Sequence, residues 1–414
     1  MTLMITNISL VNISSVQAAT TDNTGVTSTD NTSGGTTDNT IKVSLDNIRD
    51  IVIENNLDIK NYDNSKKIAQ QEYDDAKTAY DTANAAVTSA NTSISSANTD
   101  LAKAGDDQTA KDTANADLAK ANADLATANT NVTTTDATLT TKRDNLRKAN
   151  DDYDTHVETS VSTAQQEYLT YLYDLSIQKI NEDTVKSNEK AAQIYKLQYE
   201  SGFISKNTYT DDLQANTSVN DSNASKDTEE LDRTKLCNTL GISSEENITF
   251  NTDINQDFQV ISKIKYEDDL KQMLDNNIDI KDQNNVISDL EDQESDYDNK
   301  DESDIYDYKL QSENNTLQQL INTKETTFMN QYNDLMKSYN AIQSSYDVIL
   351  QKQKEYQVTQ MQYNYGFISE NGVDSKDSLD TVKSNLDNEN ATFIKNRNDC
   401  YLKYLQYIEM KEGY

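Results

Sequence analysis

Not one proline occurs in the 414 residues of this chain. Proline breaks helix interiors and central strands alike, so a chain without it is free to run on as helix. Periodicity decides whether it does. From Tyr73 the larger apolar residues step by seven through Tyr80, Val87, Ile94 and Leu101, with Ala76, Ala83, Ala90, Ala97 and Ala104 in the companion register. Beyond Gly105 a second ladder runs Leu118, Leu125, Val132, Leu139, Leu146 and Tyr153, with Ala114, Ala121 and Ala128 beside it. The alternating spacing of three and four is that of a coiled-coil seam, and the alanines let two helices approach closely. "AGDD" at Ala104–Asp107 therefore reads as the turn of an antiparallel helical hairpin. Further on, Phe328, Tyr332, Leu335, Tyr339, Ile342, Tyr346 and Ile349 alternate by four and three in the same way.

Composition narrows the architecture. Apolar residues make up 35 % of the chain and its net charge is −34, whereas an ordinary globular domain carries about 45–50 % apolar residues. That is too little for one thick core, and it suits long helices joined along narrow seams. The acidity argues against nucleic acid, which needs clustered Lys and Arg, and reads as a solvated coat. No stretch has the 18 or more apolar residues of a spanning helix.

Two short phrases occur twice. "NNLDIK" at Asn55–Lys60 returns as "NNIDIK" at Asn276–Lys281, and "GFIS" at Gly202–Ser205 returns at Gly366–Ser369. Each copy divides its repeat into three helical stretches: about 45–104, 107–200 and 207–240 first, then about 266–297, 304–364 and 375–412. In both repeats the middle stretch is long enough to lie antiparallel against the other two placed end to end. Gly105, Gly202, Gly241, Gly366 and Gly372 mark where helices stop, while Gly413 is left as a terminal residue. The second hairpin turn falls in "DYDNKDES" at Asp296–Ser303. Without a glycine at the required place, and with Lys300 intruding, it reads as an exposed acidic turn rather than a cation loop.

The repeats resemble the TolC family of outer-membrane efflux proteins. The likeness is carried by Val43–Lys77 and Ile264–Glu294, which look like its opening helix, and by Tyr195–Ile242 with its second copy near Tyr363–Asn371. The resemblance implies an all-α fold of duplicated long antiparallel hairpins. It also implies a homotrimer closing into a helical tunnel, and tips that meet the adaptor protein of an ABC-type or other efflux pump. Carried over by position, the tip residues are Gly202, Phe203, Ile204, Ser205, Gly366, Phe367, Ile368 and Ser369. Glycine permits a left-handed turn, Ser can cap the next helix, and Phe-Ile offers an apolar contact or staples the turn. The chain departs from the family at one place. "AGDDQTAK" and "DYDNKDES" stand where the family inserts barrel strands, so the reading is a conduit without a β-barrel, as suits an envelope lacking an outer membrane.

The remaining assignments follow. Residues 1–19 read as a secretory signal with Val16-Gln17-Ala18 before the cut but no basic leader. Residues 20–42 read as a disordered linker, 43–243 as the first repeat and 264–412 as the second, in a protein exported to the cell envelope or surface. One histidine, His156, reads as a surface imidazole, and Cys237 and Cys400 as small buried hydrophobes at similar places in their repeats. No catalytic, cofactor-binding or metal-binding constellation can be assembled from these residues. The competing reading is a secreted coiled-coil spacer with no transport activity.

Overall fold

The computed structural model describes residues 40–215, 219–252, 258–291, 300–368 and 378–414. In chain order they form β1 (Ile41–Val43), α1 (Ile48–Asn55), α2 (Leu57–Lys103), α3 (Gln108–Glu200), α4 (Lys206–Ala215) and α5 (Val219–Leu240). Then come β2 (Ile248–Phe250), a 3-10 helix (Phe258–Lys263), α6 (Tyr266–Asn276), α7 (Ile278–Glu291), α8 (Lys300–Asn364) and α9 (Leu379–Lys411). The axis of the assembly is α3, 93 residues of unbroken helix, about 140 Å at about 1.5 Å per residue. α2 lies along its first part and α5 along its second; α8 pairs in the same manner with α7 and α9. The antiparallel hairpins read from the sequence are thus present.

The seam between α2 and α3 is the one the heptads specify. Ala76, Ala83, Ala90, Ala97, Ala114, Ala121 and Ala128 are all buried. The larger residues of the ladder, from Tyr73 to Leu101 and from Leu118 to Leu139, are half-buried, because two helices alone cannot cover them on both flanks. At residues 104–107 the chain turns directly, and Asp107 caps α3 by accepting from the Ala110 N–H at 3.1 Å. The second turn differs in part: Lys300–Ser303 are helical, and the rest of "DYDNKDES" lies outside the described residues, as does Gly372.

One element departs from an all-helical chain. β1 and β2 pair in parallel, Ile41 with Ile248 through Val43 with Phe250, which draws Ile41 and Lys42 at the end of the linker stretch into order. Tyr168 of α3 fastens this ribbon, its hydroxyl donating to the Asn251 carbonyl and to the Val43 carbonyl at 3.4 Å. Three-residue strands leave no seven-residue pattern, and period two over three residues is indistinguishable from loop.

The doubled hexapeptide acquires its reason here. Asn56 and Asn277 each interrupt the first helix of their repeat and restart it. Asn56 Oδ1 accepts from the Asp58 and Ile59 N–H groups at 2.9 and 3.2 Å, and its Nδ2 donates to the Thr239 carbonyl at 2.8 Å. Asn277 Oδ1 accepts from the Ile280 N–H at 3.2 Å, and its Nδ2 donates to the Gly413 carbonyl at 3.4 Å. A short amide side chain thereby caps one helix and ties it to the end of another. The first Asn of each pair meets a glycine: a Cβ on Gly241 would lie 2.5 Å from the Asn55 carbonyl carbon, and one on Gly413 2.4 Å from the Asn276 oxygen. Gly413, left as a terminal residue by its position, is in structure the counterpart of Gly241.

Two separate hydrophobic cores result. The first joins Ile48, Val52 and Ile59 to Val161, Tyr168, Leu172, Leu236, Cys237 and Leu240. The second joins Phe258, Ile261 and Met273 to Phe328, Leu335, Ile342, Cys400, Tyr407 and Met410. Both cysteines are fully buried and unbonded, one in each core. Counted from the closing glycines their places differ, Cys237 four residues before Gly241 and Cys400 thirteen before Gly413.

Substituting Gly241→Ala or Gly413→Ala adds overpacking to the cost of a left-handed alanine and is expected to lower stability by about 2–5 kcal/mol. Gly202→Ala, with open space around the Cβ, is expected to cost only about 1–2 kcal/mol. Urea denaturation measures both; equal losses would mean that the close approach to Asn55 is not tight.

Candidate functional site

At the far end of the long helices the chain turns twice in the same way. The Gly202 N–H donates to the Tyr199 carbonyl at 3.0 Å and the Phe203 N–H to the Gln198 carbonyl at 2.8 Å. In the second copy, Gly366 donates to Tyr363 at 2.9 Å and Phe367 to Gln362 at 2.8 Å. These nested bonds are a Schellman closure, which needs a left-handed residue at the turn; φ is 78° at Gly202 and 76° at Gly366. Ser205 then starts α4, its Oγ accepting from the Thr208 N–H at 3.1 Å. Ser369, its counterpart, lies outside the described residues.

The residue after the glycine of such a closure often packs back onto the helix it terminates. Ile242, after Gly241, does so and is buried. Phe203 and Phe367 do not: they are 82 % and 79 % exposed. The phenylalanines therefore do not staple the turns, while Ile204 and Ile368 behind them are half-buried. Tyr199 stacks on Tyr209 across the first turn with ring centres 5.1 Å apart. At the second, Tyr365 is exposed beside Phe367 at 6.5 Å. Each tip thus presents an aromatic patch held by rigid backbone geometry. Aromatic exposure was not written in the heptads; the repetition of the phrase and its place in the TolC resemblance pointed to these residues.

Behind the tips a cavity of about 340 Å³ opens between α3 and α9, lined by Asp183, Ser187, Tyr195, Asp380, Lys383 and Asp387 among others. Ser187 Oγ donates to Asp380 at 2.8 Å, and Lys383 Nζ sits 3.5 Å from Asp183 and 3.7 Å from Asp387. Between α3 and α5, burial and the hydrogen bond that its protonated form donates to Asp232 push the Asp174 carboxyl up to about 7. Asp232, which accepts from Asp174 and lies 2.7 Å from Lys235, is held below the usual carboxylate range, so below about pH 7 the pair holds one proton, on Asp174.

The remaining candidates are structural. His156 stacks on Tyr62 at 3.7 Å and is half-buried rather than a free surface imidazole. Burial pushes the Cys400 thiol up to about 11 and Cys237 likewise upward, so neither is poised as a nucleophile. Among the described residues no group of three or more side chains is placed to hold a metal ion, and no helix is long and apolar enough to cross a membrane.

No family model and no curated protein matches this chain. Solved structures do. A membrane protein from Pseudomonas aeruginosa is 9 % identical with a TM-score of 0.57, the match covering 90 % of this chain and 91 % of that one. CusC, described for its folding and transmembrane channel formation, is 10 % identical with a TM-score of 0.54, over 89 % and 92 % of the two chains. At that identity the likeness is one of fold. The fold is the helical-hairpin architecture that the TolC resemblance implies, with β1 and β2 the strands present among the described residues.

Exposed phenylalanines contribute little to the folded state. Phe203→Ala and Phe367→Ala are each expected to change unfolding free energy by less than about 0.5 kcal/mol, while Ile242→Ala costs about 2–4 kcal/mol. Thermal or urea denaturation of the three variants distinguishes exposure from stapling.

Proposed function

We propose that this chain is an exported, non-enzymatic conduit protein of an efflux or secretion system. In this reading it works as a TolC-like homotrimer in the cell envelope, and its GFIS tips receive a membrane-fusion (adaptor) protein. The observation that carries the reading is the pair of tips. Two turns 164 residues apart share one hydrogen-bond pattern, and both hold an aromatic side chain in solvent, where it adds nothing to folding. Exposed apolar groups on rigid turns are the ordinary form of a docking surface. The fold shared with CusC, described for transmembrane channel formation, and with a membrane protein of Pseudomonas aeruginosa supports the same assignment, as does the length of α3, which exceeds the thickness of any single membrane.

A second reading is a secreted coiled-coil spacer. The direct turn at Gly105, without intervening strands, favours it, because nothing there would anchor a pore in an outer membrane.

The two readings separate on association. For the conduit, light scattering behind size-exclusion chromatography gives a trimer at micromolar concentration. An adaptor encoded beside this chain is then retained by the wild-type protein and lost, by at least about tenfold in Kd, with F203D/F367D. A monomer that retains no adaptor supports the spacer and removes the conduit.

A further inference from the structure

The outer part of the arm made by α2 and α3 stands clear of the second repeat. The hydrogen bond from Arg143 to Asp289, at 2.8 Å, is the one nearest the arm's turn that ties it to that repeat among the described residues. Beyond it about 50 Å of paired helix remains, in which α2 packs against α3. This stretch is one phrase written six times, Ala-Asn and then a large apolar residue three positions after the Asn. It reads "ANAAV" at Ala83–Val87, "ANTSI" at Ala90–Ile94 and "ANTDL" at Ala97–Leu101 on α2. On α3 it reads "ANADL" at Ala114–Leu118 and again at Ala121–Leu125, then "ANTNV" at Ala128–Val132.

The alanines are buried in the seam and the large residues are half-buried; every asparagine of the phrase but the half-buried Asn84 is exposed. An Asn three positions before one large residue and four after another shares their flank of the helix. Because the helices run in opposite directions, like heptad positions of both fall on the same flank of the pair. The register that sets Ala90 opposite Ala121 therefore sets Ile94 near Leu118, Val87 near Leu125 and Asn91 near Asn122, all on one face of the arm. Between Asn84 and Leu101, and between Asn115 and Val132, that face carries no charge. Asp100, Asp117 and Asp124 each precede a leucine by one position and fall on the alanine flank instead.

We propose that this face is a self-docking surface, taken up by the same face of a second copy of the chain. Three properties select that occupant. The face reads nearly alike from either end, so it is complementary to itself. An amide both donates and accepts, so an asparagine row is satisfied by an identical row. In a chain of net charge −34, it lets two copies meet without bringing carboxylates together. From Tyr73 to Leu101 it is about 40 Å long and about 20 Å wide, about 800 Å² per copy, the area a standard interface covers. The contact goes beyond the transport reading, since a conduit and a spacer can both be built with it.

The test uses the full chain spin-labelled at S95C, an exposed position beside the apolar stripe; the native thiols are buried. Dipolar spectroscopy at micromolar concentration is expected to show an inter-copy distance below about 30 Å, some three helix diameters. N91D/N98D/N122D charges the face at unchanged side-chain size, and is expected to abolish that distance and weaken association by at least about tenfold. T92D/T99D/A123D adds the same charge to exposed positions turned away from it and is expected to change neither. Should the first triple variant lose helicity by circular dichroism, N91K/N122K provides the same comparison. A wild type without the short distance, or equal loss in both triple variants, overturns the docking face. A trimer that lacks the distance but retains an adaptor leaves the conduit reading standing; the distance without adaptor retention leaves the docking face standing and removes the conduit.

Discussion

Everything in this molecule is measured against the unbroken backbone of α3. A helix of 93 residues cannot be held by its own propensity, since helical stability in water comes mainly from packing of an apolar stripe. Here the stripe changes partner along its length. Alanine layers face α2, the aromatic and branched residues from Val157 to Leu172 face α1 and α5, and polar groups meet α7 and α9. One rod thereby organises a close two-helix arm, a compact core and a polar seam. A helix break anywhere in it would uncouple these regions. The chain's breaks instead fall in the partner helices, at Asn56 and Asn277, where an amide side chain repairs the exposed ends.

Much of this was legible beforehand, for physical reasons. Seven-residue steps are a long-range signal, repeated often enough that Ala76 to Ala128 could be placed in the seam without coordinates. The GFIS turns were legible because glycine and serine serve the same local chemistry wherever they recur. Three features were not. β1 and β2 are too short to show a period, and their pairing links residues about 207 apart. Gly413 gave no sign of its role, since a close approach to Asn276 depends on where α9 ends in space. His156 could not be paired with Tyr62 from spacing alone, because they lie on different helices.

The tips and the middle of the molecule use the same closure to opposite ends. Among the described residues, four helices finish with nested bonds around a glycine: α3, α5, α8 and α9. At Gly241 and Gly413 the turn is pressed against the backbone of another helix, and the bare α-carbon is what lets it fit. At Gly202 and Gly366 an added Cβ would meet nothing within 4 Å, and glycine supplies only the left-handed φ. The first pair spends its geometry on cohesion, the second on presenting Phe203 and Phe367 to solvent. A single local motif, read identically in the sequence, thus has two meanings that only its surroundings separate.

The alanine arm also fixes how this shape can vary. Because α2 and α3 run in opposite directions through a shared register, a gap in one must be matched by an equal gap in the other or every small residue meets a large one. The arm can therefore be shortened or lengthened only in paired increments of seven residues on each side, about 10 Å of reach per step. Span is a discrete quantity here, adjustable like the rungs of an extending ladder, while the core and the tips stay as they are.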